Sequence, residues 1–257
     1  MNIKFLGSAS ALPNAGNDCP CFIINGKYLF DCGYSVVTSL WEANQDVSQI
    51  EYIIFTHMHH DHYIGLAGLL FYMLQSKKKN LEDLTIIGPS DVNEVLERTY
   101  SFLLLDKHFL DAKRPKVITI NAGETISNDD FTLTAGSCFH PVDARCYRFT
   151  DKFDGKSLAI TGDTALKTDM ANLFRNADAI IHDCTLGTHI PTDDPQFRQC
   201  GHSCIYEALT LCEVADIPIL FPVHMNSDVA RNAIEAVKGF TKTKVMYPEK
   251  HIEFILY

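Results

Sequence analysis

The sequence predicts an α/β protein whose functional side chains gather at the carboxyl edge of a sheet, and three observations predict it. Short apolar, β-rich runs alternate along the 257 residues with stretches whose apolar positions recur at helical spacing. The densest run of metal-ligand side chains, Thr56-His57-Met58-His59-His60-Asp61-His62, falls between two such stretches. Tyr52-Ile53-Ile54-Phe55 before it reads as a buried strand, and Ile64, Ala67, Leu70, Met73 and Leu74 after it as a helix. Apolar content of 46% and charged content of 21%, with no linker, repeat or low-complexity tract, predict one globular domain spanning residues 1–257.

From the amino terminus, residues 3–6 form a strand ended by Gly7-Ser8-Ala9-Ser10. Cys21–Ile24 and Tyr28–Phe30 form a hairpin around Asn25-Gly26, a pair suited to a tight turn with positive φ. Asp31-Cys32-Gly33 places a carboxylate at the next strand end, and a helix follows Gly33. The strand over 52–56 leads into the histidine turn and the helix over 63–75 leads out of it. Gly65 and Gly68 weaken that helix, which implies close packing against the sheet. Lys77-Lys78-Lys79 reads as a solvated helix end. Thr85-Ile86-Ile87 is a strand stopped by Gly88-Pro89, and Ser90 or Asp91 caps a helix with Val92, Val95, Leu96 and Leu103 on one face. Residues 102–110 hold more large apolar side chains than one face needs, for which a rim over the site, a homodimer contact and plain core packing each account.

From Val117 onward strands dominate, at 117–120, 131–137, 147–149, 157–161 and 179–181. Residues 186–200 form a loop rich in proline and aspartate, expected to be mobile and near the site. Gly201-His202-Ser203 opens a helix with Ile205, Ala208, Leu209 and Cys212 inward. The strand over 217–221 ends in Pro222-Val223-His224, before a helix carrying Val229, Ala230, Ala233, Ile234 and Val237. Strands at 245–246 and 252–256 complete the pattern.

The histidine run is the chemical centre. In an extended turn His57 and His59 project to one side and grip one cation, while Asp61 and His62, past the bend, face a neighbouring position. Imidazole nitrogen with carboxylate oxygen suits zinc, manganese or iron better than calcium or magnesium. A net charge of −10 weighs against a polyanion bound over a broad face. Nine cysteines, odd in number and irregular in spacing, with no signal peptide, imply reduced thiols and a cytoplasmic location. Cys19-Pro20-Cys21 reads as loop and strand-start thiols rather than a redox pair. No apolar run approaches a membrane span.

The His57-x-His59-x-Asp61-His62 pattern resembles the signature of the metallo-β-lactamase superfamily, which implies a four-layer αββα sandwich with its metal site at one sheet edge. Gly7-Ser8-Ala9-Ser10 and Phe30-Asp31-Cys32-Gly33 are similar to the amino-terminal pattern of its ribonuclease Z branch, and Gly162-Asp163-Thr164 to the superfamily's G-D-T. The resemblance runs essentially end to end. It implies that His57, His59 and His140 hold one divalent transition metal ion, that Asp61, His62 and His224 hold a second, and that Asp163 bridges them, with Asp31 orienting a ligand histidine. Zinc is the expected metal, with manganese or iron(II) as alternatives. A water shared by two such ions is held as hydroxide near neutrality, so the chain is expected to be a metal-dependent hydrolase.

Gly201-His202-Ser203 and His182-Asp183-Cys184-Thr185 resemble that branch's G-H-S/T and H-E-A-T, with Asp183 in place of glutamate. Asp61, Asp183 and His202 are accordingly the expected catalytic side chains, Asp183 keeping His202 protonated so that it donates to the leaving oxygen. Two departures matter. The branch carries a tRNA-holding arm between its third and fourth ligand motifs, whereas here a strand pair alone separates His140 from Asp163. The closing motif is His224-Met225-Asn226-Ser227 in place of H-x-S/T-x-x-Y. Both favour a phosphodiesterase of small or cyclic phosphodiesters over a tRNA 3′-processing endonuclease. A lactonase or other carbon-ester hydrolase, and a non-catalytic metal-binding regulator, are the readings from other classes.

Overall fold

The computed structural model describes residues 1–191, 199–239 and 241–257. Fourteen strands are described: β1 Asn2–Gly7, β2 Cys21–Ile24, β3 Tyr28–Phe30, β4 Tyr52–Ile54, β5 Thr85–Gly88, β6 Lys116–Thr119, β7 Thr125–Ser127, β8 Phe131–Ser137, β9 Arg145–Asp151, β10 Ser157–Ile160, β11 Ala179–Asp183, β12 Ile219–Val223, β13 Lys244–Val245 and β14 Glu253–Ile255. They form two sheets, in the orders β14-β1-β2-β3-β4-β5-β6 and β13-β12-β11-β10-β9-β8-β7. In the first, β3 to β6 run parallel; in the second, β10 to β13 do.

Alternation along the strands decides the layering. Phe5, Phe22, Phe30, Ile54 and Ile87 of one sheet meet Phe131, Leu133, Phe149, Ile160, Ile181 and Phe221 of the other. The opposite face of the first sheet, with Leu6, Ile53, Phe55 and Ile86, lies under helices Val36–Glu42, Leu66–Ser76 and Val92–Phe102. Ala159, Ile180 and Leu220 of the second lie under Met170–Phe174, Ile205–Ala215 and Ser227–Ala236. The result is the four-layer αββα sandwich that the resemblance implies.

The hairpin between β2 and β3 turns as expected, Asn25 and Gly26 both taking positive φ and the Lys27 amide donating to the Ile24 carbonyl at 3.0 Å. Other local expectations change. The helix read over 63–75 is two helices, His60–Tyr63 and Leu66–Ser76, broken at Gly65. A Cβ on Gly65 would stand 2.1 Å from the Gly33 carbonyl oxygen, so this glycine is set by backbone contact with the loop after β3. Gly68 faces open space, and the close packing inferred for it is absent. Asp91 is the N-cap of Val92–Phe102 without a side-chain cap bond, and Ser90 Oγ donates to Asp143 Oδ2 at 2.9 Å. Of residues 102–110, Leu105 is core, while Phe102 and Leu110 are 79% and 78% exposed, so core packing accounts for part of that apolar excess and leaves an open patch. Lys77 ends its helix in the left-handed region, as a solvated helix end requires. Of the loop read over 186–200, residues 192–198 lie outside the described residues.

Cys19 and Cys21 are buried thiols that donate to the carbonyls of Ser10 and Asp31, at 3.2 and 3.3 Å. Burial pushes Cys19 up to about 12, which suits the inert reading of this pair. Among the described residues no helix is long and apolar enough to cross a membrane.

The two helix glycines make opposed predictions. Gly65→Ala should lower stability by roughly 1–3 kcal/mol, since backbone must move to admit the methyl. Gly68→Ala should raise it by roughly 0.5–1 kcal/mol, the usual gain for a solvent-facing helix interior. Denaturant unfolding of both variants beside the parent is the check.

Candidate active site

The carboxyl ends of β3, β4, β10, β11 and β12 lie at one edge of the sandwich, and the candidate side chains follow them directly. Asp31 follows β3, His57 to His62 follow β4, Asp163 follows β10, Asp183 ends β11 and His224 follows β12. His140 comes from the loop between β8 and β9, which is tied to the histidine turn by a bond from the Arg145 amide to the Thr56 carbonyl at 2.8 Å. Open α/β sheets collect ligands at such ends, because neighbouring loops diverge there and leave a crevice.

Among the described residues three groups of possible ligand atoms form, each spanning no more than 4.8 Å: His57, His59, His140 and Asp163; Asp61, His62, His224 and Asp163; and, beside the second, Asp183, His202 and His224. Asp163 belongs to the first two. Its Oδ2 lies 3.7 Å from His57 Nε2 and 3.2 Å from His224 Nε2, and its Oδ1 lies 3.4 Å from His62 Nε2. Asp61 Oδ2 faces His224 Nε2 at 3.1 Å and His62 Nε2 at 3.3 Å. His140 Nε2 and His59 Nδ1 point at one another across 3.0 Å. All seven residues expected as ligands therefore meet.

The donor set fits metal ions. His57 Nε2 and His62 Nε2 are buried with no hydrogen-bond partner, although both lie within a few ångströms of carboxylate oxygens. The opposite ring nitrogens are held from behind. Asp31 accepts from His62 Nδ1 at 2.8 Å and from the amide and hydroxyl of Thr56, each at 2.9 Å. The Gly201 carbonyl accepts from His140 Nδ1 at 3.0 Å. This is the usual support of ligand histidines, fixing tautomer and ring orientation together. Burial, with neighbouring imidazoles, pushes His57 well below the usual histidine range and lowers His59 and His140, leaving them neutral. For His62 and His224 burial acts in the same sense, yet the carboxylates around them, Asp163 foremost, outweigh it and raise both. A cation in either group would take over that neutralising role from the protons.

Asp183 and His202 meet beside the second group. His202 Nδ1 donates to Asp183 Oδ2 at 2.8 Å, and Asp183 is fully buried. Burial alone would lower His202, but the Asp183 bond and charge, with Asp163 and Asp61 further off, hold it at about 9. His202 lies in the loop ahead of Ile205–Ala215, whose N-cap is Cys204, so it does not open that helix as expected. A cavity of about 230 Å³ lies beside it, lined by Phe139, Ala165, Leu166, Pro191 and Glu207. His60, the remaining histidine of the run, is exposed and stacks on Tyr63.

Three residues that the sequence analysis quoted within motifs, without a role of their own, take part in the site. Thr185 Oγ1 contacts both Asp183 and His224, Thr56 supports Asp31 and His57, and Gly201 backs His140. Gly201 has φ of +71° and a Cβ there would stand 2.8 Å from His140 Cα, so its G-H-S glycine is required by contact with a ligand loop. The signal available for the threonines was a hydroxyl residue just past a strand end.

The family described as anti-Pycsar protein Apyc1 matches residues 1–213. The chain belongs to that family. Relatives and folds agree with this placement. A ribonuclease BN of Enterobacter sp. (strain 638) is 24% identical, covering 97% of this chain and 96% of its own. The metallo-β-lactamase fold protein YhfI from Bacillus subtilis superposes with a TM-score of 0.79 at 21% identity, over 98% of each chain. The short form of human tRNase Z gives 0.78 at 21% identity, over 100% of each. This Apyc1-family chain thus has the metallo-β-lactamase fold and is a ribonuclease Z-like hydrolase of that superfamily, as the motifs implied.

The raised His202 gives a pH signature. Its unfolded value is near 6.5 and its folded value about 9, so its stabilising contribution is complete below 6.5 and disappears as pH rises through about 9. In metal-stripped protein, the stability gap between the parent and His202→Ala should therefore be widest near pH 6 and shrink towards pH 10, as read by denaturant midpoints.

Proposed function

We propose that this chain is a dinuclear-metal phosphodiesterase of small or cyclic phosphodiesters. His57, His59 and His140 hold one ion, Asp61, His62 and His224 the other, with Asp163 shared, all within one hydrolase domain over 1–257. Zinc suits the nitrogen-rich set best, with manganese or iron(II) as alternatives. When bound, the pair supplies Lewis acidity, generating hydroxide near neutral pH and polarising the phosphoryl oxygen.

The observation that carries the reading is the Asp183–His202 pair. A buried carboxylate 2.8 Å from Nδ1 keeps His202 protonated and aimed, so the imidazolium is free to neutralise phosphoryl charge and to protonate the leaving oxygen. Asp61, touching both His62 and His224, holds the second group's imidazoles in place and keeps negative charge beside the reacting centre. A lactonase has no need for a proton donor of this kind, and a non-catalytic regulator has no need for the whole set.

Substrate size follows from what surrounds the site. Between His140 and Asp163 the chain holds β9, β10 and their turn, leaving no room for a tRNA-holding arm. The alignment with the Enterobacter ribonuclease BN runs over 304 positions, more than the 257 residues of this chain, so that relative carries inserted segments. The cavity of about 230 Å³ beside His202 is smaller than the roughly 300–1,000 Å³ of drug-sized pockets. Net charge of −10 adds repulsion against a long polyanion. The family description supplies a biological context, opposition to Pycsar. We place the protein in the cytoplasm, on the strength of its mostly buried thiols, and assign the exposed Phe102 and Leu110 to a homodimer contact.

Two tests bear on this. Elemental analysis should find about two transition metals per chain, and Asp163→Ala should empty both positions; one tight ion, retained in that variant, would falsify the dinuclear assignment. His202→Ala should keep its metal while losing on the order of 10²–10⁴-fold in phosphodiester turnover, with Asp183→Asn less affected. Cyclic nucleotides, bis-p-nitrophenyl phosphate, a lactone panel and precursor tRNA should be compared at low salt. Efficient position-specific cleavage of the tRNA, or a preference for lactones, would sink the small-phosphodiester reading.

A further inference from the structure

The strongest unassigned feature is Thr185, one hydroxyl placed between two imidazoles with different tasks. Its Oγ1 lies 2.6 Å from Asp183 Oδ1 and 2.7 Å from His224 Nδ1. A hydroxyl has one proton to give and two lone pairs to receive with, and an ionised carboxylate only receives. The Thr185 proton therefore points to Asp183, and Oγ1 must accept from His224. Nδ1 of His224 then carries a proton, which leaves Nε2, at 3.1 and 3.2 Å from Asp61 and Asp163, as the ring nitrogen that a cation would take when it displaces the proton shared with those carboxylates.

Asp183 divides its oxygens accordingly. Oδ1 receives the Thr185 hydroxyl and amide, at 2.6 and 2.8 Å. Oδ2 receives His202 Nδ1 and the Thr164 amide, at 2.8 and 3.1 Å. One buried carboxylate thus fixes the proton position on His202 directly and on His224 through the threonine. Thr185 Oγ1 also lies 3.1 Å from His202 Nδ1, longer than the carboxylate bond to the same nitrogen. The aspartate that replaces glutamate at this position is short, and the threonine hydroxyl spans the interval to His224.

We infer that Thr185 is a positioning residue that ties the proton donor and one metal group to a single carboxylate. This rests on the dinuclear phosphodiesterase reading for its functional meaning, while its geometry does not. Thr185→Val removes the hydroxyl at nearly constant shape and Thr185→Ser restores it.

In zinc-loaded Thr185→Val, chelator challenge should release one of the two ions about 10–100-fold more readily than in the parent, as loss of a ligand's hydrogen-bonding support does. Turnover of an unactivated alkyl phosphodiester should fall about 10-fold or more, and that of a p-nitrophenyl diester much less, because a good leaving group has little use for a proton. Thr185→Ser should recover both. Nitrogen-15 imidazole spectra of the zinc-loaded parent should show His224 protonated at Nδ1. The inference is overturned if Thr185→Val keeps both ions at parental affinity, if the two esters fall by one factor, or if His224 carries its proton on Nε2. Should the valine variant not fold, the parental spectrum and the serine variant still decide. Should the parent hydrolyse no phosphodiester, the functional reading fails, while metal release and the tautomer continue to test Thr185 itself.

Discussion

Everything at the site depends on how closely the two sheets approach beside the histidine turn. Gly162, just after β10, packs against Thr56, just after β4; a Cβ on that glycine would stand 2.7 Å from Thr56 Cβ. Its φ of +58° then turns the chain so that Asp163 enters between the two histidine groups. A larger residue would hold the sheets apart by part of an ångström, and the shared carboxylate could no longer face both groups. The Tyr147 hydroxyl on the Phe55 carbonyl at 2.9 Å and the His224 amide on the Ser8 carbonyl at 2.9 Å close the same edge from either side. The aromatic core between the sheets sets their spacing, and these contacts convert that spacing into ligand geometry.

Two residues of the site adopt backbone that side-chain-bearing residues rarely adopt. Asp31 and His224 both have positive φ, at 56° and 66°, and neither is glycine. Each sits at a strand end where an extended continuation would carry its side chain out of the cluster. Such conformations cost on the order of 1–3 kcal/mol and persist where surrounding bonds over-determine them. Asp31 is held by three donors from Thr56 and His62, and His224 by its amide bond to Ser8 and its ring bond to Thr185. The strain is thus located where aim matters more than local stability.

Much of this was legible in the sequence because His57, His59, Asp61 and His62 crowd into one turn and carry their own chemistry, while His140, Asp163 and His224 were placed by resemblance alone. The strands themselves follow from short apolar, β-rich runs, which the structure buries along most of their length. What escaped was set by approach rather than by composition. Gly65 and Gly68 look alike in the chain, yet one touches the Gly33 carbonyl and the other faces solvent. Ser90 looks like a helix cap, but its hydroxyl is bonded to Asp143, distant in sequence, and Asp91 takes the cap position. Thr185 closes a motif in the sequence, but its task shows only when His224 arrives beside it. Tertiary partners of this kind leave no local pattern to read.

The division of the site between two sheets has a consequence for how the protein is made. The histidine turn belongs to the first sheet and is complete by His62, whereas His224, bonded to Asp61, lies 163 positions later in the chain. During synthesis the early imidazoles are therefore available long before their partners exist. Loop closure over that span carries an entropic cost that only the docking of the second sheet repays. The paired histidine and aspartate groups are accordingly among the last features that biosynthesis can complete, so their assembly reports on the state of nearly the whole chain.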